Sequence, residues 1–353
     1  TMIPLNLLKI ILPTFISFVI GGIITPPLTS LFYKYKLWKR VSRQNNEDPV
    51  SEAFKTIHNQ SEEIRTPRTG GMIIWLSTVC TLILFVLLSY IHSDNLVYEK
   101  LNFLSRNQTL LPLVGLFAGA LIGLLEDWIE IRPSKSVVHG LGTNNLITIV
   151  IAIGCIVGYW FYFKLGIVDI RIPFTATKLF LGGAIIPFTV LVMLGTFSSR
   201  VIDGIDGLAG GVMATIFAAY SFIAYTQNQI DIAALCGVIT GGILVFLWFN
   251  IPPARFYMGE TGMLALTVCL AIVAFLTDTV LLLPIIAFPL VITALSSALQ
   301  IASKKYLGKK LFKIAPLHHH FEALGWSRPK ITMRYWVISV ICALIGILIS
   351  FFG

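Results

Sequence analysis

Long apolar runs separated by polar loops dominate the chain. Runs long enough to cross a bilayer fall near residues 7–33, 70–91, 109–126, 145–163, 177–198, 208–225, 231–249, 262–277, 280–303 and 335–352. This pattern predicts an all-α polytopic membrane protein with about ten transmembrane helices. Pro284 and Pro289 inside the ninth run predict a kink there. Strand signals are sparse. The alternation Ile167-Val168-Asp169-Ile170-Arg171-Ile172-Pro173 reads as a short hairpin between spans. Gly115, Gly119 and Gly123 recur at four-residue spacing along the third run, a stripe that lets another helix pack closely. No soluble-domain linker, low-complexity tract or internal repeat interrupts the pattern, so residues 1–353 read as one integral membrane domain.

Composition removes the alternatives. The chain is 56% hydrophobic and 12% charged, with mean hydropathy +0.84, against about 25% charged in ordinary soluble domains. A soluble enzyme, a disordered chain and a secreted disulfide scaffold are therefore excluded. Cys80, Cys155, Cys236, Cys269 and Cys342 all lie within apolar runs with no CxxC pair, and read as small core residues. The first run lacks a charged leader and a small-residue cleavage site, so it is expected to be retained as a span. The net charge of +9 needs no nucleic-acid partner: 20 of the 26 Lys and Arg residues fall in the five loops that follow odd-numbered spans. The positive-inside bias puts those loops in the cytoplasm and both termini outside.

The residues with chemical potential gather on the same five loops. Glu126-Asp127 ends the third run; adjacent carboxylates repel and call for a cation or a basic partner. Asp203-Gly204-Ile205-Asp206-Gly207 opens the sixth, with two aspartates expected on one face of a first helical turn and glycines that admit another group near the backbone. Simple N-capping would need one of them, and the run does not fit an EF-hand. A third stretch runs from Asn250 through Arg255 and Tyr257 to Glu260, a carboxylate between Gly259 and Gly262. The fourth is His318-His319-His320 with Phe321 and Glu322. Three consecutive histidines cannot all face one tetrahedral zinc, so phosphate binding or proton donation suits them better. Hard oxygen donors without thiolates favour magnesium over zinc. Magnesium with basic groups at a lipid–water boundary suits phosphoryl transfer.

These segments resemble the polyprenyl-phosphate N-acetylhexosamine-1-phosphate transferase superfamily over nearly the whole chain. Its sharpest pieces here are Asp203-Gly204-Ile205-Asp206-Gly207-Leu208-Ala209, Phe246-Leu247-Trp248-Phe249-Asn250, Met258-Gly259-Glu260-Thr261-Gly262, and Pro316 to Glu322 with Leu324-Gly325-Trp326. The His-His-His-Phe-Glu run points to the muramoyl-pentapeptide branch. The resemblance implies transfer of a phospho-N-acetylmuramoyl-pentapeptide from its UDP carrier to undecaprenyl phosphate, with release of UMP. It also implies a magnesium requirement, a cytoplasmic-face active site in the bacterial plasma membrane, and a homodimer. Carried onto this chain, Glu126, Asp127, Glu260, His318, His319 and His320 take catalytic positions, Glu126 as the base on the lipid phosphate. Glu260 and Asp127 take the metal positions. Asp203, Gly204, Ile205, Asp206, Asn250 and Tyr257 line the nucleotide site, with Tyr257 expected to stack on the base.

The chain departs from the family pattern at defined places. Glu126 and Glu260 stand where the family usually has Asp, and each reaches one methylene further. Glu130 replaces a usual lysine, Glu62 and Glu63 surround the place of another, and Arg200 and Ile202 replace Asn and Thr. Ile202 matches the N-acetylglucosamine branches. Arg68, Arg200 and Arg255 are candidate replacement cations. Two other readings follow: N-acetylglucosamine-1-phosphate transfer to a polyprenyl phosphate, and a catalytically impaired relative with a binding role. A transporter would place charges at mid-span, where these runs are almost free of them.

Overall fold

A helix satisfies its own backbone polar groups, so apolar runs of this length become helices in lipid. The computed structural model describes residues 2–38, 66–91, 101–104, 107–132, 140–175 and 177–352. Among them the elements run in chain order: α1 Met2–Lys34, α2 Met72–Ile91, α3 Asn107–Ile131, α4 Thr143–Phe163, β1 Asp169–Arg171, β2 Lys178–Phe180, α5 Ile185–Ser198, α6 Leu208–Thr226, α7 Ile230–Asn250, α8 Gly259–Leu276, α9 Leu283–Ile286, α10 Phe288–Leu307, α11 Leu317–Ala323 and α12 Arg328–Ser350. Nine helices of the described residues are long and apolar enough to cross a membrane, which makes this a multi-pass membrane protein. The ninth apolar run does not form one rod. It breaks at Ala287 into α9 and α10, with Pro284 and Pro289 each in the first turn of its own piece. Proline there is tolerated because that N–H has no helical partner. The fifth run also starts differently from expectation: Lys178–Phe180 is a strand, a 3-10 turn covers Gly182–Ala184, and the helix begins at Ile185. The expected hairpin is present, with β1 antiparallel to β2 and Ile170 opposite Leu179.

The centre of the bundle is α6, α7 and α8, the most buried of the spans. Around them α1 packs on α7, α12 on α6, and α3 on α8, while α4 and α5 pair on the outside of α8. The glycine stripe of α3 explains the tightest contact. A Cβ on Gly119 would meet the Ala265 backbone, and one on Gly123 would meet the Glu260 carbonyl. This close approach sets the acidic end of α3 against the N-terminus of α8. Gly71 does the same for the start of α2, lying against the Gly262 backbone. Lys39, Arg40, Arg43, Lys55 and Arg65 of the first basic loop, Glu62 and Glu63 within it, and Lys135 and His139 of the loop after α3 lie outside the described residues.

Candidate active site

The first turn of a helix carries backbone N–H groups with no helical acceptor. At α8 these are met from another element. Asp127, at the end of α3, accepts from Glu260 N at 3.0 Å through Oδ1 and from Thr261 N at 2.9 Å through Oδ2. Thr261 in turn donates its hydroxyl to Ala120 O and accepts from Trp75 Nε1. Asp203 reaches the same helix end, its Oδ2 accepting from Gly259 N at 3.0 Å. Gly259 has φ +71° and sits against the Arg68 carbonyl, a conformation and a closeness that suit glycine. Three stretches remote in sequence therefore meet at one point. Glu126 and Asp203 lie within electrostatic reach of the Glu260 carboxylate. Glu126 is itself held at its Oε2 by Leu141 N at 2.6 Å.

Asp203 and Asp206 do not occupy a first helical turn, contrary to the expectation from their spacing. Both lie in the loop before α6, whose N-cap is Gly207 in the left-handed region with no side-chain cap. Asp206 Oδ2 accepts from Ala254 N at 3.0 Å. Asn250 joins the same two loops, accepting from Gly207 N at 3.0 Å and donating to Phe256 O at 2.8 Å. The 203–207 and 250–259 segments are thus laced together. Tyr257 is half-buried and anchored through its backbone to Pro67 O and Gly70 N. Ile205 is buried. Burial pushes Asp203 up to about 6, against the pull of the Gly259 and Met258 amides and the Arg68 charge.

The histidines divide. His318 and His319 lie against Gly204, where a Cβ would meet both Nε2 atoms. Their rings are 4.3 Å apart. His320 engages the neighbouring loop instead, its Nδ1 accepting from Lys313 N and its ring edge-on to Phe312. His319 Nδ1 is 2.6 Å from Glu322 Oε2, and Arg328 Nε donates to Glu322 Oε1 at 2.7 Å. Burial pushes Glu322 up, but these two bonds outweigh it and hold its carboxyl below the ordinary range. Arg328 also lies near Asp206 and Tyr257. Arg328 lies in no motif of its own in the sequence. The His319–Glu322 spacing of three on a helical turn was its one signal.

The cations that meet these carboxylates include two arginines. Arg200 Nη1 lies 2.5 Å from Glu260 Oε1. Arg68 faces Asp203 and lies 3.9 Å from Glu130 Oε2. Arg255 stands over the Phe249 ring, outside this cluster. Among the described residues no group of three His, Cys, Asp or Glu side chains is arranged to hold a metal ion by itself. Magnesium does not require such a cage, since it keeps several waters and takes one or two carboxylates plus substrate phosphates. Glu260 Oε2 suits it: the atom is buried and has no hydrogen-bond partner among the described residues. The two metal positions implied by resemblance are unequal, because both Asp127 oxygens are committed to backbone N–H groups.

The chain matches the glycosyl transferase family 4 model over residues 109–278. It is 33% identical over 342 residues to the phospho-N-acetylmuramoyl-pentapeptide-transferase of Geobacillus sp. (strain WCH70), covering 96% of this chain and 97% of that one. It is 32% identical over 335 residues to the like-named protein of Bacillus subtilis (strain 168), covering 95% of each. With that of Clostridium perfringens (strain 13 / Type A) the figures are 31% over 339 residues, 96% and 98%.

Proposed function

This chain belongs to the phospho-N-acetylmuramoyl-pentapeptide-transferase family, and from that membership we propose that it transfers phospho-N-acetylmuramoyl-pentapeptide from a UDP carrier to undecaprenyl phosphate at the cytoplasmic face of a bacterial plasma membrane. A lipid phosphate oxygen forms a bond to the sugar-bearing phosphorus. The bond from that phosphorus to the bridging oxygen breaks, and its electron pair leaves with UMP. The observation that supports this reading best is the convergence of Asp127, Asp203 and Glu260, carried by three separate elements, on the N-terminus of α8.

In-line phosphoryl transfer is mostly positioning and charge neutralisation. The laced 203–207 and 250–259 loops form the nucleotide side. There Gly204, Ile205 and Tyr257 face the base, and Asp206 and Asn250 fix the loop that carries them. His318 and His319 stand over Gly204 as donors to phosphate oxygens, His319 oriented through Glu322 and Arg328. Glu126 is the carboxylate for the lipid phosphate. Glu260 Oε2 would hold magnesium, with Asp127 fixing the backbone beneath it. Bound there, the ion supplies charge neutralisation on the diphosphate. The proposed partners are the two substrates, the surrounding lipid and a second copy of the chain.

The test is UMP release by the purified protein in detergent, with undecaprenyl phosphate and either UDP-N-acetylmuramoyl-pentapeptide or UDP-N-acetylglucosamine. Magnesium-dependent release from the muramoyl substrate alone is expected, with Glu260→Gln reducing it by at least ~10²-fold. Release from UDP-N-acetylglucosamine alone, or from neither, overturns the reading.

A further inference from the structure

Glu260 is paired directly with a cation. Arg200 sits within the 3-10 turn Ser199–Ile202, which directly follows α5. Its guanidinium holds Glu260 Oε1 and lies 4.6 Å from the centroid of Phe197. The Phe197 ring backs the guanidinium and the 3-10 turn carries its backbone, so the pair has support on the protein side. Both side chains are nevertheless partly open, at 18% and 24% exposure. The pair thus sits where a ligand can reach it. The other Glu260 oxygen is buried and has no partner among the described residues, with Glu126 and Asp203 nearby. A divalent ion arriving there would meet a carboxylate already half neutralised by Arg200. Two cations on one carboxylate repel, and the planar fork of arginine matches phosphate oxygens as well as it matches a carboxylate.

We propose that Arg200 is a competing cation for the metal carboxylate: it holds Glu260 in the ligand-free protein and exchanges onto the substrate diphosphate when magnesium takes Glu260. Arg200 is thereby a positioning residue that sets metal affinity and makes metal and nucleotide binding mutually reinforcing. The inference rests on the proposed metal role of Glu260, and its test separates the two. Magnesium affinity is measured by calorimetry on the full chain in detergent, for the wild type, Arg200→Gln and Glu260→Gln, with and without UDP-N-acetylmuramoyl-pentapeptide.

Arg200→Gln is expected to bind magnesium at least about tenfold more tightly without nucleotide. It should also lose most of the enhancement that nucleotide gives the wild type. Wild-type binding that depends on Glu260 but is unchanged or weakened in Arg200→Gln overturns the competition and leaves the metal site standing. No binding to any of the three proteins overturns both. A second measurement needs no variant. Phenylglyoxal modification of Arg200 in the wild type, read by peptide mass spectrometry, should rise when magnesium is added without nucleotide and fall when nucleotide is added as well. Modification indifferent to magnesium overturns the exchange.

Discussion

Burial pushes Asp203 up to about 6, although two amides and the Arg68 charge pull the other way. Its ordinary value is 3.8, so the folded protein holds that proton more tightly than the unfolded chain does. Stability from this group is complete below the unfolded value and is lost as pH rises through the folded one. The midpoint of thermal inactivation, measured without metal or nucleotide, should therefore decline as pH rises from about 4 to about 6. In Asp203→Asn that part of the slope should disappear; an identical slope in the variant would show that Asp203 is not its source. Much of this chemistry was legible from the residues themselves. Glu126-Asp127, Asp203, Glu260 and the histidines stand out as polar residues on apolar ground. Their division of labour was not legible, because it depends on which N–H groups lie opposite. Asp127 is a cap for another helix, and Asp203 and Asp206 hold two points of the same 250–259 segment, the end of which opens α8. The Arg200–Glu260 pair joins residues sixty positions apart, and no periodicity encodes such a partner.

Between elements, the α3–α8 contact positions the site, and glycine is what permits it. Gly123 lies against the Glu260 carbonyl, and about one helical turn further along α3 Asp127 caps the same end of α8. Gly123→Ala should force these helices apart at that point. Overpacking of this kind costs about 1–3 kcal/mol, and it would also lengthen the Asp127 hydrogen bonds to Glu260 N and Thr261 N. A lower inactivation midpoint together with weaker magnesium binding is expected. Gly195 on α5 is the control, since a Cβ there meets nothing within 4 Å; Gly195→Ala should leave both properties unchanged. Loss of the midpoint with metal affinity intact would mean that α3 does not position the metal carboxylate. The glycine spacing predicted a close helix contact from sequence, but not which helix fills it. The proline pair in the ninth run predicted a kink; the outcome is a break at Ala287 because each proline starts a piece of its own. Pro13, Pro26 and Pro27 lie inside α1 without dividing it, so proline content alone does not decide between a break and a continuous helix.

Across the whole molecule, α8 measures the distance between two chemically different ends. Its first turn is the acidic cluster. Just beyond its last turn Asp278 accepts from Arg171 N and pairs with Lys178 at 3.0 Å, tying the β1–β2 hairpin to that end. Eighteen residues separate the ends, or about 27 Å at 1.5 Å per residue, close to the ~30 Å hydrocarbon thickness of a bilayer. That length predicts the hairpin and the carboxylates on opposite faces of the membrane. The Lys and Arg bias predicts a cytoplasmic carboxylate face, so Thr175, at the hairpin tip, is expected outside and Lys310, in the loop after α10, inside. In whole cells a membrane-impermeant maleimide should label Thr175→Cys directly and Lys310→Cys after permeabilisation alone, each compared with the parent chain to subtract its own five cysteines. The reverse pattern would turn the protein over and remove the UDP-linked substrate from reach of the site. Labelling of both from outside would break the span assignment for the segments between them.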